Sequence, residues 1–90
     1  MGYTISTEVI AQEVSGETVL LDLGSEQYFS LDVVGTRIWQ MLGESKTPDE
    51  IKAQLLTEYD VAGDELERDI QSLIATLLDE GLLSAESSAG

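Results

Sequence analysis

Residues 20–42 read LLDLGSEQYFSLDVVGTRIWQML, and this stretch decides the fold. It opens as an alternating strand, with Leu21 and Leu23 on one face and Leu20 and Asp22 on the other. Gly24-Ser25-Glu26 turns the chain, and Gln27-Tyr28-Phe29-Ser30-Leu31 returns as a second, aromatic strand. Asp32 is an acceptor placed to cap a helix, on which Val34, Ile38, Met41 and Leu42 recur at helical spacing. A hairpin is therefore joined to a helix without slack.

Working outward toward the N-terminus, Glu8 to Val14 reads as a further strand, with Val9, Ala11 and Val14 expected to face one way. Ser15-Gly16-Glu17 is a tight connection into Thr18 to Leu23, so three strands form a meander. Met1 to Ser6 is expected to be an unpaired tail or the start of a strand.

Toward the C-terminus, Gly43-Glu44-Ser45-Lys46 forms a loop, and Thr47-Pro48-Asp49-Glu50 starts a second helix. Thr47 caps, Pro48 stands at the first helical position, and Glu50 completes a capping box. Ile51, Leu55, Leu56 and Tyr59 form its apolar stripe. Asp60 to Gly63 breaks that helix, and Asp64 with Glu67 is a second candidate capping pair, with a start one or two residues earlier left open.

The last helix carries Leu66, Ile70, Leu73, Ile74, Leu77 and Leu78 at offsets of three and four. Gly81 is placed to end it in the left-handed conformation, and Leu82-Leu83 can fold back onto the helix end. Ser84 to Gly90 is small and polar and is expected to fray. Three strands followed by three helices make an α+β domain with winged helix-turn-helix-like order, occupying residues 1–90 as one unit.

Composition narrows the chemistry. Cysteine and histidine are both absent, which removes disulfides, thiolate catalysis, and the commonest general base and metal ligand. No apolar run approaches the roughly 20 residues that span a membrane. Met1-Gly2-Tyr3-Thr4 lacks the basic and apolar regions of a secretory signal, which favours the cytoplasm.

The net charge is −14, with Arg37, Lys46, Lys52 and Arg68 the only basic residues. Such a surface repels nucleic acid and anionic membranes and suits a basic peptide or protein, although acidity also serves solubility alone.

Among single residues, Trp39 and Phe29 are assigned to the core, while Tyr28 either lines a surface or covers the core's rim. Asp64, Glu65, Glu67 and Asp69 gather near the start of the last helix, where its dipole favours them or where they frame a groove for a cationic peptide. Residues 60–69 lack the alternating oxygen ligands of a calcium loop. Ser30-Leu31-Asp32 has the wrong order for the phosphopantetheine site of a carrier protein. No cofactor, metal or catalytic residue is read from the sequence.

The ordered set Leu20, Leu21, Asp22, Gly24, Tyr28, Phe29, Leu31, Gly35, Ile38 and Trp39, continuing through Thr47-Pro48 to Glu80-Gly81-Leu82-Leu83, resembles the PqqD-like peptide-recognition domains. These are the RiPP recognition elements, and the pattern is most like the stand-alone leader-binding proteins of lasso-peptide biosynthesis. Asp32 stands where that family usually has asparagine.

The resemblance implies a non-catalytic protein that holds the leader of a ribosomally made precursor peptide. The leader pairs with the edge of Gln27, Tyr28, Phe29, Ser30 and Leu31 and packs on Leu66, Asp69, Ile70, Leu73 and Leu77 of the last helix. It also implies tyrosine and proline anchors in the leader, and a leader protease and a cyclase as downstream partners. A winged-helix DNA-binding regulator and a general interaction module using the same sheet edge are the alternatives.

Overall fold

A computed structural model of the chain describes residues 3–85. The elements run β1 (Tyr3–Ile5), β2 (Val9–Val14), β3 (Glu17–Asp22), β4 (Gln27–Leu31), α1 (Val33–Gly43), α2 (Pro48–Glu58), α3 (Gly63–Asp79) and β5 (Leu83–Ala85). The α+β expectation holds: β2, β3 and β4 form an antiparallel sheet in that order, and three helices follow.

The turns explain the meander. Ser15 and Gly16 both take positive φ, 54° and 83°, which closes a two-residue hairpin with the twist that antiparallel strands require. At the next turn, Asp22 accepts hydrogen bonds from the Gly24 N–H at 3.0 Å and the Ser25 hydroxyl at 2.9 Å, a side-chain imitation of a backbone turn. Asp32 then accepts from the Gly35 N–H at 2.7 Å and starts α1. A Cβ on Gly35 would lie 3.1 Å from that Asp32 carboxylate oxygen and 3.4 Å from Leu31 Cβ, so glycine permits this tight strand-to-helix junction.

Thr47 and Glu50 form the expected reciprocal box at the start of α2. Gly81, at φ 77°, ends α3: its N–H reaches Leu78 O, and the Leu82 N–H reaches Leu77 O at 2.9 Å. That fold-back buries Leu82 and Leu83. The core fills the space between one sheet face and the helices, from Leu20 and Leu31 through Ile38, Trp39, Met41 and Leu42 to Ile51, Leu55, Leu66, Ile70, Ile74 and Leu77. A forked ion pair ties α2 to α1, with Arg37 Nε donating to Glu58 Oε1 and Nη2 to Glu58 Oε2. Arg37 also donates to Gln40, which donates to Glu13 of β2.

Several expectations are corrected. Residues 3–5 take the strand alternative and not the unpaired tail, in a place the sequence did not indicate: β1 pairs with β5 in a separate two-stranded sheet, Tyr3 opposite Ala85 and Ile5 opposite Leu83. Ser84 and Ala85 therefore belong to a strand; residues 86–90 of the expected tail lie outside the described residues.

Val14 is 60% exposed because alternation puts it with Ile10 on the sheet face turned away from the helices, opposite to Val9 and Ala11. Of β2 only Val9 is half-buried, since α1 lies over β3 and β4. Leu56 and Leu78 are exposed because each stands at the edge of its helix's apolar stripe. Asp64 and Glu67 do not cap α3, which begins at Gly63 after Ala62 with no side-chain cap. Asp64 and Glu65 lie within its first turn, where the exposed N–H groups favour negative charge.

Candidate functional site: a free sheet edge beside an apolar cleft

Among the described residues β4 has one neighbour, β3, and its other edge carries unpaired backbone groups. The hydrogen-bond pattern identifies which ones. The Leu23 N–H donates to Glu8 O at 2.9 Å, so Leu23 directs its polar groups toward β2. Alternation then sends those of Leu21, Val19 and Glu17 the same way, and those of Asp22, Leu20 and Thr18 toward β4. The two-residue hairpin closed by Val14 and Glu17 requires the same phase.

Asp22, Leu20 and Thr18 stand opposite Gln27, Phe29 and Leu31, which therefore use their N–H and C=O groups on β3. Tyr28 and Ser30 remain, each with an N–H and a C=O aimed at open space.

Beside this edge lies a cleft of about 520 Å³. Phe29, Ser30 and Leu31 of β4 form one wall, Asp32, Val34, Gly35 and Ile38 at the start of α1 form the floor, and Asp69, Ser72, Leu73, Thr76 and Leu77 of α3 form the other wall. The cleft is thus apolar at depth, with hydroxyls and carboxylates at its rim and no basic residue among its lining.

Of the ten residues expected at the site, Phe29, Ser30, Leu31, Asp69, Leu73 and Leu77 line this cleft together. Gln27 and Tyr28 belong to the edge but not to the lining, and Tyr28 is 72% exposed on the opposite sheet face. Leu66 and Ile70 are 2% and 1% exposed and pack in the core. Asp32, Val34, Gly35, Ile38, Ser72 and Thr76 line the cleft without having been singled out as site residues. Ser72 and Thr76 were readable in principle, because they fall three and seven residues after Asp69 on one helical face.

The sheet face turned away from the helices is also apolar. Ile10, Leu21 and Tyr28 stand side by side across the three strands, with Val14, Val19 and Leu23 exposed as well. Glu8, Glu17 and Glu26 lie around this surface, and the first basic residue in the chain is Arg37.

The large pKa shift lies away from the cleft. The Arg37 guanidinium, hydrogen-bonded to Glu58, lowers that carboxyl to about 2, with Gln54 adding a second donor. Among the described residues no group of three or more acidic, histidine or cysteine side chains could hold a metal ion. None of the described helices is long and apolar enough to cross a membrane.

A family model described as coenzyme PQQ synthesis protein D (PqqD) matches residues 17–83. Two solved structures resemble nearly the whole chain. TbiB1 in complex with the TbiA(beta) leader peptide is 38% identical, with a TM-score of 0.84 over 98% of this chain and 100% of that one. Lasso peptide synthetase B1 complexed with the leader peptide is 27% identical, with a TM-score of 0.84 over 94% of this chain and 100% of that one. No curated protein matches the chain.

Proposed function

The chain belongs to the PqqD family, and from that premise we propose that it is a non-catalytic, cytoplasmic leader-peptide-binding domain of lasso-peptide or related RiPP biosynthesis. It captures the leader of a ribosomal precursor peptide by strand addition to β4 and presents that peptide to maturation enzymes, a leader protease and a cyclase. The observation that carries the reading is the free edge at Tyr28 and Ser30, standing beside a 520 Å³ apolar cleft. The two similar structures are themselves leader-peptide complexes, which supports it.

The magnitudes suffice. Two N–H and two C=O groups allow four added hydrogen bonds, each contributing roughly 0.5–1.5 kcal/mol. Each apolar anchor buried in the cleft adds roughly 1.5–3 kcal/mol. Ordering a flexible peptide costs about 2–5 kcal/mol, and association costs further rigid-body freedom. Backbone pairing alone roughly cancels that cost, so anchors in the cleft decide both affinity and selectivity. The apolar outer face around Ile10, Leu21 and Tyr28 is a surface left free for maturation enzymes while a peptide occupies the edge.

The DNA-binding alternative is not favoured. On α3, Arg68 stands alone against Asp64, Glu65, Glu67, Asp69 and Asp79, and a phosphate backbone needs cations.

The test is titration of the purified protein into the fluorescently labelled leader of the precursor encoded beside its gene. Saturable anisotropy in the micromolar range or tighter is expected. A flat trace to about 100 μM would refute the assignment.

A further inference from the structure

The acids near the start of α3 do not share one role. Asp64 and Glu65 sit in the first turn and answer the helix dipole. Glu67 meets Lys52 of α2 at 3.5 Å. Asp69 lies beyond the first turn, lines the cleft, and has neither a hydrogen bond nor an ion pair among the described residues. The other cleft carboxylate, Asp32, is committed to the Gly35 N–H. The cleft therefore holds one uncommitted negative charge beside apolar walls.

We propose that Asp69 is a specificity-determining residue of this cleft, selecting a lysine or arginine side chain in the bound peptide at a fixed distance from its apolar anchors. The proposal rests on peptide capture at the β4 edge. A peptide filling the cleft displaces water from Asp69, and a carboxylate losing water without gaining a partner is penalised. A neutral or acidic side chain at that point therefore weakens binding, and a cation restores it.

Helix geometry sets the spacing. Asp69, Leu73 and Leu77 follow one another at four-residue intervals, about 6 Å apart along α3. Alternate side chains of an extended strand are about 6.6–6.8 Å apart. A strand laid along α3 thus sets every second side chain opposite Asp69 and then Leu73, with the 1% exposed Leu77 held in the core beyond them. The resulting recognition pattern is a cation, any residue and an apolar residue, in one chain direction or its reverse.

The test uses a display library of random peptides selected on the wild-type protein, followed by one enriched lysine-containing peptide and its norleucine counterpart. Their dissociation constants are measured on wild type, Asp69→Asn and Asp64→Asn, with melting curves to show that the variants fold. Enrichment of a basic residue two positions from an apolar one is expected. Replacing lysine by norleucine then costs about fivefold on wild type and on Asp64→Asn, and nothing on Asp69→Asn. Enriched peptides lacking that spacing, or the same loss on all three proteins, overturn the proposal while leaving peptide capture intact. A library that yields no binders overturns the capture reading itself, and this inference with it.

Discussion

Proline in β4 tests the site most sharply, because the hydrogen-bond phase separates neighbouring residues into two classes. The Phe29 N–H is used within the sheet, opposite Leu20, whereas those of Tyr28 and Ser30 face outward. Phe29→Pro loses a ladder bond worth about 1 kcal/mol and removes a half-buried ring that packs on the core, a loss of up to about 3–5 kcal/mol. Against a total stability of about 5–13 kcal/mol for a chain of this size, that variant stands near the limit of folding.

Ser30→Pro loses no ladder bond and removes an exposed side chain, so its stability cost is confined to the strain of a fixed φ. It also removes one N–H offered to an incoming strand. The peptide carbonyl left without that partner costs about 1–3 kcal/mol, or roughly 5- to 150-fold in affinity. Tyr28→Pro belongs to the same class. Circular-dichroism melting beside leader titration by anisotropy reads both quantities. The expected order is a large fall in melting temperature for Phe29→Pro alone, and loss of affinity in the still-folded Tyr28→Pro and Ser30→Pro. If both of those bind like the parent, the peptide does not pair with this edge. If Ser30→Pro melts as low as Phe29→Pro, the derived phase of the ladder is wrong.

Three further outcomes are expected. Leader affinity falls as salt rises, since the protein carries a net charge of −14 and screening at ~0.15 M ionic strength acts beyond about 8 Å; affinity unchanged across a salt series would leave charge with solubility as its only role. Glu58 has a folded pKa of about 2 against an ordinary 4.5, so its contribution is fully present above 4.5 and is lost as pH falls toward 2; this acid-side loss shrinks in Glu58→Gln, and equal slopes in the two proteins would remove Arg37–Glu58 as the cause. Incubated alone with its precursor, the protein leaves the peptide mass unchanged, and a cleaved or cyclised product would contradict the non-catalytic assignment.

Much of this protein is determined by short-range chemistry that the sequence alone displays. The Asp32 cap, the Thr47–Glu50 box, the left-handed Gly81 and the Ser15-Gly16 turn are each settled within a few residues, because a backbone group finds its partner there. The burial of Trp39 and Leu31 follows from periodicity in the same local way. Those features suffice for three strands, three helices and a sheet edge at residues 27–31.

The tertiary structure decided what local patterns leave degenerate. β3 is apolar on both faces, with Leu20 on one and Val19 and Leu21 on the other, and only the seating of α1 buries the first and exposes the second. The β1–β5 pairing joins residues eighty positions apart, so neither three-residue strand carries a signal of its own. On α3 one broad apolar stripe is divided by packing: Leu66, Ile70 and Leu77 enter the core, Leu77 also bordering the cleft, while the half-buried Leu73 reaches the cleft wall with Asp69, Ser72 and Thr76. Periodicity names the side of a helix that avoids water, but which part of that side meets a neighbouring element and which meets a groove depends on where distant segments lie.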